Sequence, residues 1–197
     1  MAKLDPRQHR SKESMYDAYL DLLADNEAII SVQQLCTRAG ITRPTFYKQY
    51  SDLEALRLDI HNNLLSKLKK ALTINNPIPM ADYEASNALP ENMVLLFKHI
   101  YQHRYAYEIL LVNQPDALFI NDVKSIIRQF IIEGIRYSKA QERLVQVDRD
   151  FLISYTTGAY TETILWWIKN NYSMTAEEAA GSLFKMALKG PYSSPPD

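Results

Sequence analysis

Ala39-Gly40-Ile41-Thr42-Arg43-Pro44-Thr45-Phe46-Tyr47-Lys48-Gln49-Tyr50 decides the fold. An apolar-periodic segment from Val32 leads into it, and a second runs from Ser51 to Ala71 after it. Gly40 suits the left-handed position that ends a helix without steric penalty. Thr42 suits the N-cap of the next one. Pro44 falls in that helix's first turn, where a missing N–H costs nothing. The stretch predicts a helix, a tight turn and a short helix over 42–50. Phe46 and Tyr50, at i and i+4, share one face that must be buried. Pro44, Thr45 and Lys48 then point away, with Arg43 and Tyr47 on the flanks. This is the outline of a helix-turn-helix, whose second helix can enter the DNA major groove.

Working outward, residues up to Pro6 carry no periodicity and read as a tail. A first helix is expected over 11–26, with Met15, Tyr19, Leu22 and Leu23 on one face. Ser31 caps the second helix, which turns Val32, Leu35 and Cys36 inward; Cys36 reads as a small buried hydrophobe. Ser51 is the expected cap of a fourth helix over 52–72, striped by Leu53, Leu56, Ile60, Leu64 and Leu68. The Asn- and Pro-rich stretch 73–88 cannot be a helix interior and reads as a connector. A second domain opens near Pro90, with helices over 90–103, 105–112, about 115–138, 148–170 and 175–188. Thr175 and Glu178 have capping-box spacing. The fold class is therefore all-α: a three-helix unit over 1–51, a connecting helix over 52–72 and a larger helical bundle over 73–197.

Composition agrees. The chain of 197 residues is 47% hydrophobic and 23% charged, with 5 Gly and one cysteine. A lone cysteine forms no internal disulfide and suits a reducing cytoplasm. No apolar run reaches the roughly 20 residues of a membrane span, and the N-terminus lacks the apolar core of a secretory signal. Net charge is −1, low for a nucleic-acid binder, so charge location matters more than its sum. Arg7, Arg10 and Lys12 lie in the N-terminal arm, and Arg43 and Lys48 on a short helix with no acid.

The segment Ala39 to Tyr50, followed by Asp52-Leu53-Glu54-Ala55-Leu56, resembles the signature of TetR-type transcriptional regulators. The resemblance covers the first third of the chain; the rest is compatible in helical pattern and length. It implies that residues matching Arg43, Pro44 and Thr45 meet bases, that those matching Tyr47 and Gln49 meet phosphates, and that Ser31 and Gln33 lie near the backbone. Thr42 and Lys48 complete the candidate DNA-binding set. Chemistry agrees: Arg43 can read guanine or bind phosphate, Pro44 and Thr45 offer surface to a thymine methyl, and Tyr47 and Lys48 can donate to phosphates. One departure stands out. The family often has a phosphate-binding Lys where this chain has Leu53, between Asp52 and Glu54. Its loss lowers the salt slope by about one unit and leaves room for a TetR-like coactivator or adaptor that binds DNA weakly.

The larger domain is rich in aromatics, which suit a small organic effector; Tyr101, Tyr105, Phe130 and Tyr155 are the candidate lining. A single helix-turn-helix makes too few contacts for tight binding, so a homodimer reading two half-sites of a double-stranded operator is expected. By resemblance the last two helices pair across a two-fold axis, with Ile153, Tyr160, Ile164, Trp167, Leu183 and Phe184 as candidate interface. Trp166 and Trp167 point in different directions, so one can be core and the other interface. His99 and His103, at i and i+4, could hold a metal, but no third ligand is evident and they read as surface histidines. No phosphate loop or hydrolase elbow is present. The expectation is a repressor that is not an enzyme and needs no metal or cofactor.

Overall fold

The computed structural model describes residues 6–25, 29–74, 88–137 and 147–189. Among them the only regular structure is helical: α1 (Pro6–Ala24), α2 (Val32–Ala39), α3 (Arg43–Tyr47), α4 (Leu53–Ala71), α5 (Glu91–Gln102), α6 (Arg104–Glu108), α7 (Ala117–Tyr137), α8 (Arg149–Lys169) and α9 (Ala176–Lys189). Most of the predicted connector, and the expected 139–147 loop up to residue 146, lie outside the described residues. No described helix is long and apolar enough to cross a membrane.

Local chemistry sets the boundaries. Ser31 and Gln34 close a reciprocal capping box, with Ser31 N–H to Gln34 Oε1 at 2.9 Å and Gln34 N–H to Ser31 Oγ at 3.2 Å. The predicted box of the last helix closes the same way, Thr175 N–H to Glu178 Oε2 at 2.7 Å and Glu178 N–H to Thr175 Oγ1 at 3.2 Å. Two boundaries differ from expectation. α1 begins at Pro6, because proline is tolerated in a first turn, and so absorbs part of the expected tail. The cap of α4 is Asp52, not Ser51: its carboxylate accepts the Ala55 N–H at 2.8 Å, while the Ser51 hydroxyl donates to Asp52. After α6 the backbone widens into a π-turn, Ile109–Asn113, closed by Gln114 N–H to Ile109 O at 2.8 Å.

The spine is α4. It leaves the N-terminal helices and packs on α1, α5 and α7, while α9 lies along α5 and α8 along α7. Its stripe of Leu56, Ile60, Leu64 and Leu68 is buried, and one continuous hydrophobic cluster runs from Met15 and Phe46 at one end to Trp167 and Phe184 at the other.

Two polar hubs tie α4 to its neighbours. Asp59 receives Lys12 Nζ from α1 at 2.6 Å and the Tyr50 hydroxyl at 2.5 Å. Burial pushes the Asp59 carboxyl up, but those hydrogen bonds outweigh it and hold it below the usual carboxylate range. Lys12 is therefore turned inward and leaves the basic arm. In the second hub Arg57 grips Glu54 at 2.5 Å and also Asp116, which caps α7 by accepting the Phe119 N–H at 3.0 Å. His61 stands beside it, 2% exposed, its Nε2 3.6 Å from Asp116 and its ring 5.0 Å from Phe119. Neither His61 nitrogen has a hydrogen-bond partner. Burial holds this imidazole below its ordinary value near 6.5, against the pull of Asp116.

A histidine depressed in the folded state binds fewer protons folded than unfolded. Its stabilising contribution is thus present above the ordinary imidazole pKa and is lost as pH falls. Acidification from about pH 7.5 to about pH 5 should lower the urea midpoint of the wild type more than that of His61→Phe. Equal losses would show that His61 is not the responsible group.

Candidate nucleic-acid interface

A helix of five residues cannot hold itself together, so α3 is shaped from outside. Its entry is Gly40 at φ +64°, whose N–H reaches the Thr37 carbonyl at 3.3 Å while Ile41 N–H reaches the Cys36 carbonyl at 3.0 Å. Thr42 caps it through the Thr45 N–H at 3.4 Å, and its hydroxyl lies 2.9 Å from that of Thr45. The anchors are Phe46, fully buried, and Tyr50, 8% exposed, with ring centroids 6.0 Å apart. The buried Cys36 thiol is pushed up by desolvation, so it behaves as packing and not as a nucleophile.

With those anchors inside, the opposite face of α3 is in solvent. Thr42, Arg43, Pro44, Tyr47 and Lys48 are exposed and Thr45 and Gln49 half-exposed. Tyr47, 50% exposed, stands edge-on to Phe46 at 5.2 Å, and the Arg43 guanidinium lies 6.0 Å from the Tyr47 ring. No acid falls within α3, and no described residue forms an ion pair with Arg43 or Lys48. Ser31 and Gln33 are exposed at the start of α2, although the Ser31 hydroxyl is engaged with Gln34 at 2.7 Å. The nine candidates are thus exposed or half-exposed residues of α3, its flanks and the start of α2. The two acids flanking Leu53 are both occupied, Asp52 by the Ala55 N–H and Glu54 by Arg57.

The four aromatic candidates for an effector are not brought together. Tyr101, 47% exposed, packs edge-on to Tyr172, and Tyr105 donates its hydroxyl to Asp21 on α1 at 2.6 Å. Phe130 lies against Tyr160, and Tyr155 is 69% exposed on α8. The histidine pair also differs from expectation: His99 is buried, its Nε2 3.0 Å from the Tyr107 hydroxyl, and its ring sits 4.8 Å from His103. Burial first, then His103 and Lys67, hold His99 down at about 4, so it stays neutral. Among the described residues no group of three or more His, Cys, Asp and Glu could hold a metal ion.

The six residues expected at a dimer surface are buried within their own chain: Ile153, Tyr160, Ile164, Trp167, Leu183 and Phe184 are all under 8% exposed. They cannot present that surface. Helix α8 is apolar on two opposite sides, and periodicity picked the inner one. On the outer side Phe151 is 65% exposed, Tyr155 69% and Trp166 48%, with Met186 of α9 nearby at 56%. Trp166 and Met186 border an open apolar groove of about 420 Å³. The i, i+4 pair Phe151 and Tyr155, continued by Trp166, was readable in the sequence once the inner stripe had been assigned to the core.

Residues 87–189 match a TetR-type family described as "Transcriptional regulator C-terminal region". No curated protein matches the chain. Among solved structures it is similar to a TetR transcriptional regulator from Streptococcus agalactiae 2603V, with TM-score 0.63 and 23% identity over 92% of this chain and 95% of that one. It is also similar to the fatty acid degradation regulator FadR from Bacillus halodurans, with TM-score 0.63 and 14% identity over 96% of this chain and 98% of that one. At these identities the likeness is one of fold.

Phe46→Ala should cost roughly 3–5 kcal/mol in chemical denaturation, because it empties a fully buried site. A cost under about 1 kcal/mol would mean that α3 is held by something other than this ring.

Proposed function

Because the chain belongs to the TetR family of transcriptional regulators, we propose that it is a DNA-binding repressor in the cytoplasm that grips a palindromic operator as a homodimer and is released by a small organic effector. The observation that carries this reading is the outer face of α3, acid-free and in solvent while Phe46 and Tyr50 are buried beneath it. Arg43, Pro44 and Thr45 read base edges. Tyr47, Lys48, Gln49, Thr42, Ser31 and Gln33 fix the phosphate backbone and so set register. The acids around Leu53 oppose phosphate less than their number implies, since one caps a helix and the other is held by Arg57.

Two copies pair through the outer stripe of Phe151, Tyr155 and Trp166 with Met186. Exposed aromatics of this size in one stripe are typical of a contact surface that a monomer would hide. Pairing places two α3 helices on one face of a duplex, spaced for half-sites about one turn apart or a multiple of it.

Tyr47→Ala should weaken binding to DNA flanking the gene at least about ten-fold in a gel shift, with the melting temperature nearly unchanged. Wild-type binding by the variant would place the docking surface elsewhere. Trp166→Glu should turn the dimer into a folded monomer in sedimentation velocity. A variant that remains fully dimeric would exclude the outer stripe as the interface.

A further inference from the structure

A second concavity shares no lining residue with either of these surfaces. An open cleft of about 650 Å³ is walled by α1, by the middle of α4 and by the turn and helix Gln102–Glu108. Its volume falls in the range of small-molecule sites. Its floor is hydrocarbon: Leu20, Ile60 and Leu64, each under 7% exposed, border it. Its rim carries charge, and the charge is sorted. The α1 wall contributes Glu13 and Asp17, and the facing walls contribute Lys67 from α4 and Arg104 from α6. One acid, Glu108, also stands on the far wall, one turn from Arg104 on the same helix.

The sorted charges are not satisfied across the cleft. No described residue forms an ion pair with Asp17, Lys67 or Arg104, and Glu13 is met only by the exposed His9 at 3.3 Å. Asp17 also stands one turn from Glu13 and one turn from Asp21, and burial together with those two carboxylates pushes its own carboxyl up. An arriving ammonium would relieve that repulsion. A carboxylate would find the Lys67 ammonium and the remaining donors of Arg104, whose guanidinium lies 4.9 Å from the Tyr101 ring and donates through Nη1 to the Tyr101 carbonyl at 3.3 Å.

We propose that this cleft is a binding site for a small zwitterion with an apolar body, of the size and class of a hydrophobic dipeptide. Its ammonium docks on Glu13 and Asp17, its carboxylate on Lys67 and Arg104, and its side chains cover Leu20, Ile60 and Leu64. The cleft also adjoins a bridge between the two halves of the chain. Tyr105, which borders it, donates to Asp21, and Asp21 lies 3.9 Å from Arg38 of α2, which in turn holds Asp25 at 2.6 Å. A ligand that fills the cleft fixes α1 against α4 and α6 and so acts on the helix-turn-helix through Asp21 and Arg38. This consequence for DNA rests on the function proposed above; occupancy of the cleft does not.

The full chain, without DNA, is titrated calorimetrically with leucyl-leucine and phenylalanyl-leucine, and with their N-acetylated and C-amidated forms. The zwitterions should bind, and each blocked form at least about ten-fold more weakly. Asp17→Asn and Lys67→Met, both with the wild-type melting temperature, should each lower affinity by a similar factor. Absence of binding by either dipeptide overturns the proposal. So does equal binding of a blocked form, or a dipeptide affinity indifferent to both substitutions. A gel shift with and without the bound dipeptide then tests the coupling separately, since a chain that binds dipeptide but no DNA refutes only the regulatory reading.

Discussion

Burial of the Phe46 ring is the constraint on which the rest depends. A single turn of helix gains too little from its own hydrogen bonds to exist in water. In this chain α3 persists because Phe46 and Tyr50 reach into the core and because Gly40 and Thr42 fix its point of entry. One face is thereby committed inward, and the helical period sends Arg43, Pro44, Tyr47 and Lys48 outward. The same packing that stabilises the short helix aims it.

What happens at α3 is tied to the larger bundle by α4. Tyr50, three residues beyond the short helix, is hydrogen-bonded to Asp59, and two residues earlier on α4 Arg57 is joined to Asp116 at the start of α7. The two hubs sit less than one turn apart on a helix whose apolar stripe is buried along its length. A rotation or tilt of α4 imposed from the bundle must therefore be felt at Tyr50. The buried imidazole of His61 is the weakest element of this joint, since its Nε2 stands 3.6 Å from Asp116, too long for a hydrogen bond.

The N-terminal third was legible because its signals are local. Gly40, Thr42 and Pro44 each have one role that their backbone chemistry favours, and the spacing of Phe46 and Tyr50 fixes a face. The cap of α4 was misplaced by one residue because serine and aspartate compete for that role and either can fill it. The bundle was legible as helices but not as surfaces. In α8 the residues Ile153, Tyr160, Ile164 and Trp167 form a sound apolar stripe, and so do Phe151, Tyr155 and Trp166. Periodicity finds both, and only tertiary packing says which is core. The aromatic candidates rest on composition, which shows that rings are plentiful, not that they converge.

Charge pairing explains how a chain of net charge −1 can still present a basic surface. Acids outnumber bases overall, but those near the helix-turn-helix are occupied. Asp59 is paired with Lys12, Asp25 with Arg38 and Glu54 with Arg57, while Asp52 is a helix cap. Arg38 and Arg57 each hold two acids, so this pairing draws the negative charge onto α1, α2 and α4 without cancelling all of it, while the outer face of α3 itself carries only Arg43 and Lys48. The field that a phosphate meets at contact range is set by these unpaired groups, because a solvent-exposed charge more than about 10 Å away is largely screened at moderate salt. A near-neutral total therefore says little about affinity for DNA, and the local census around α3 says more.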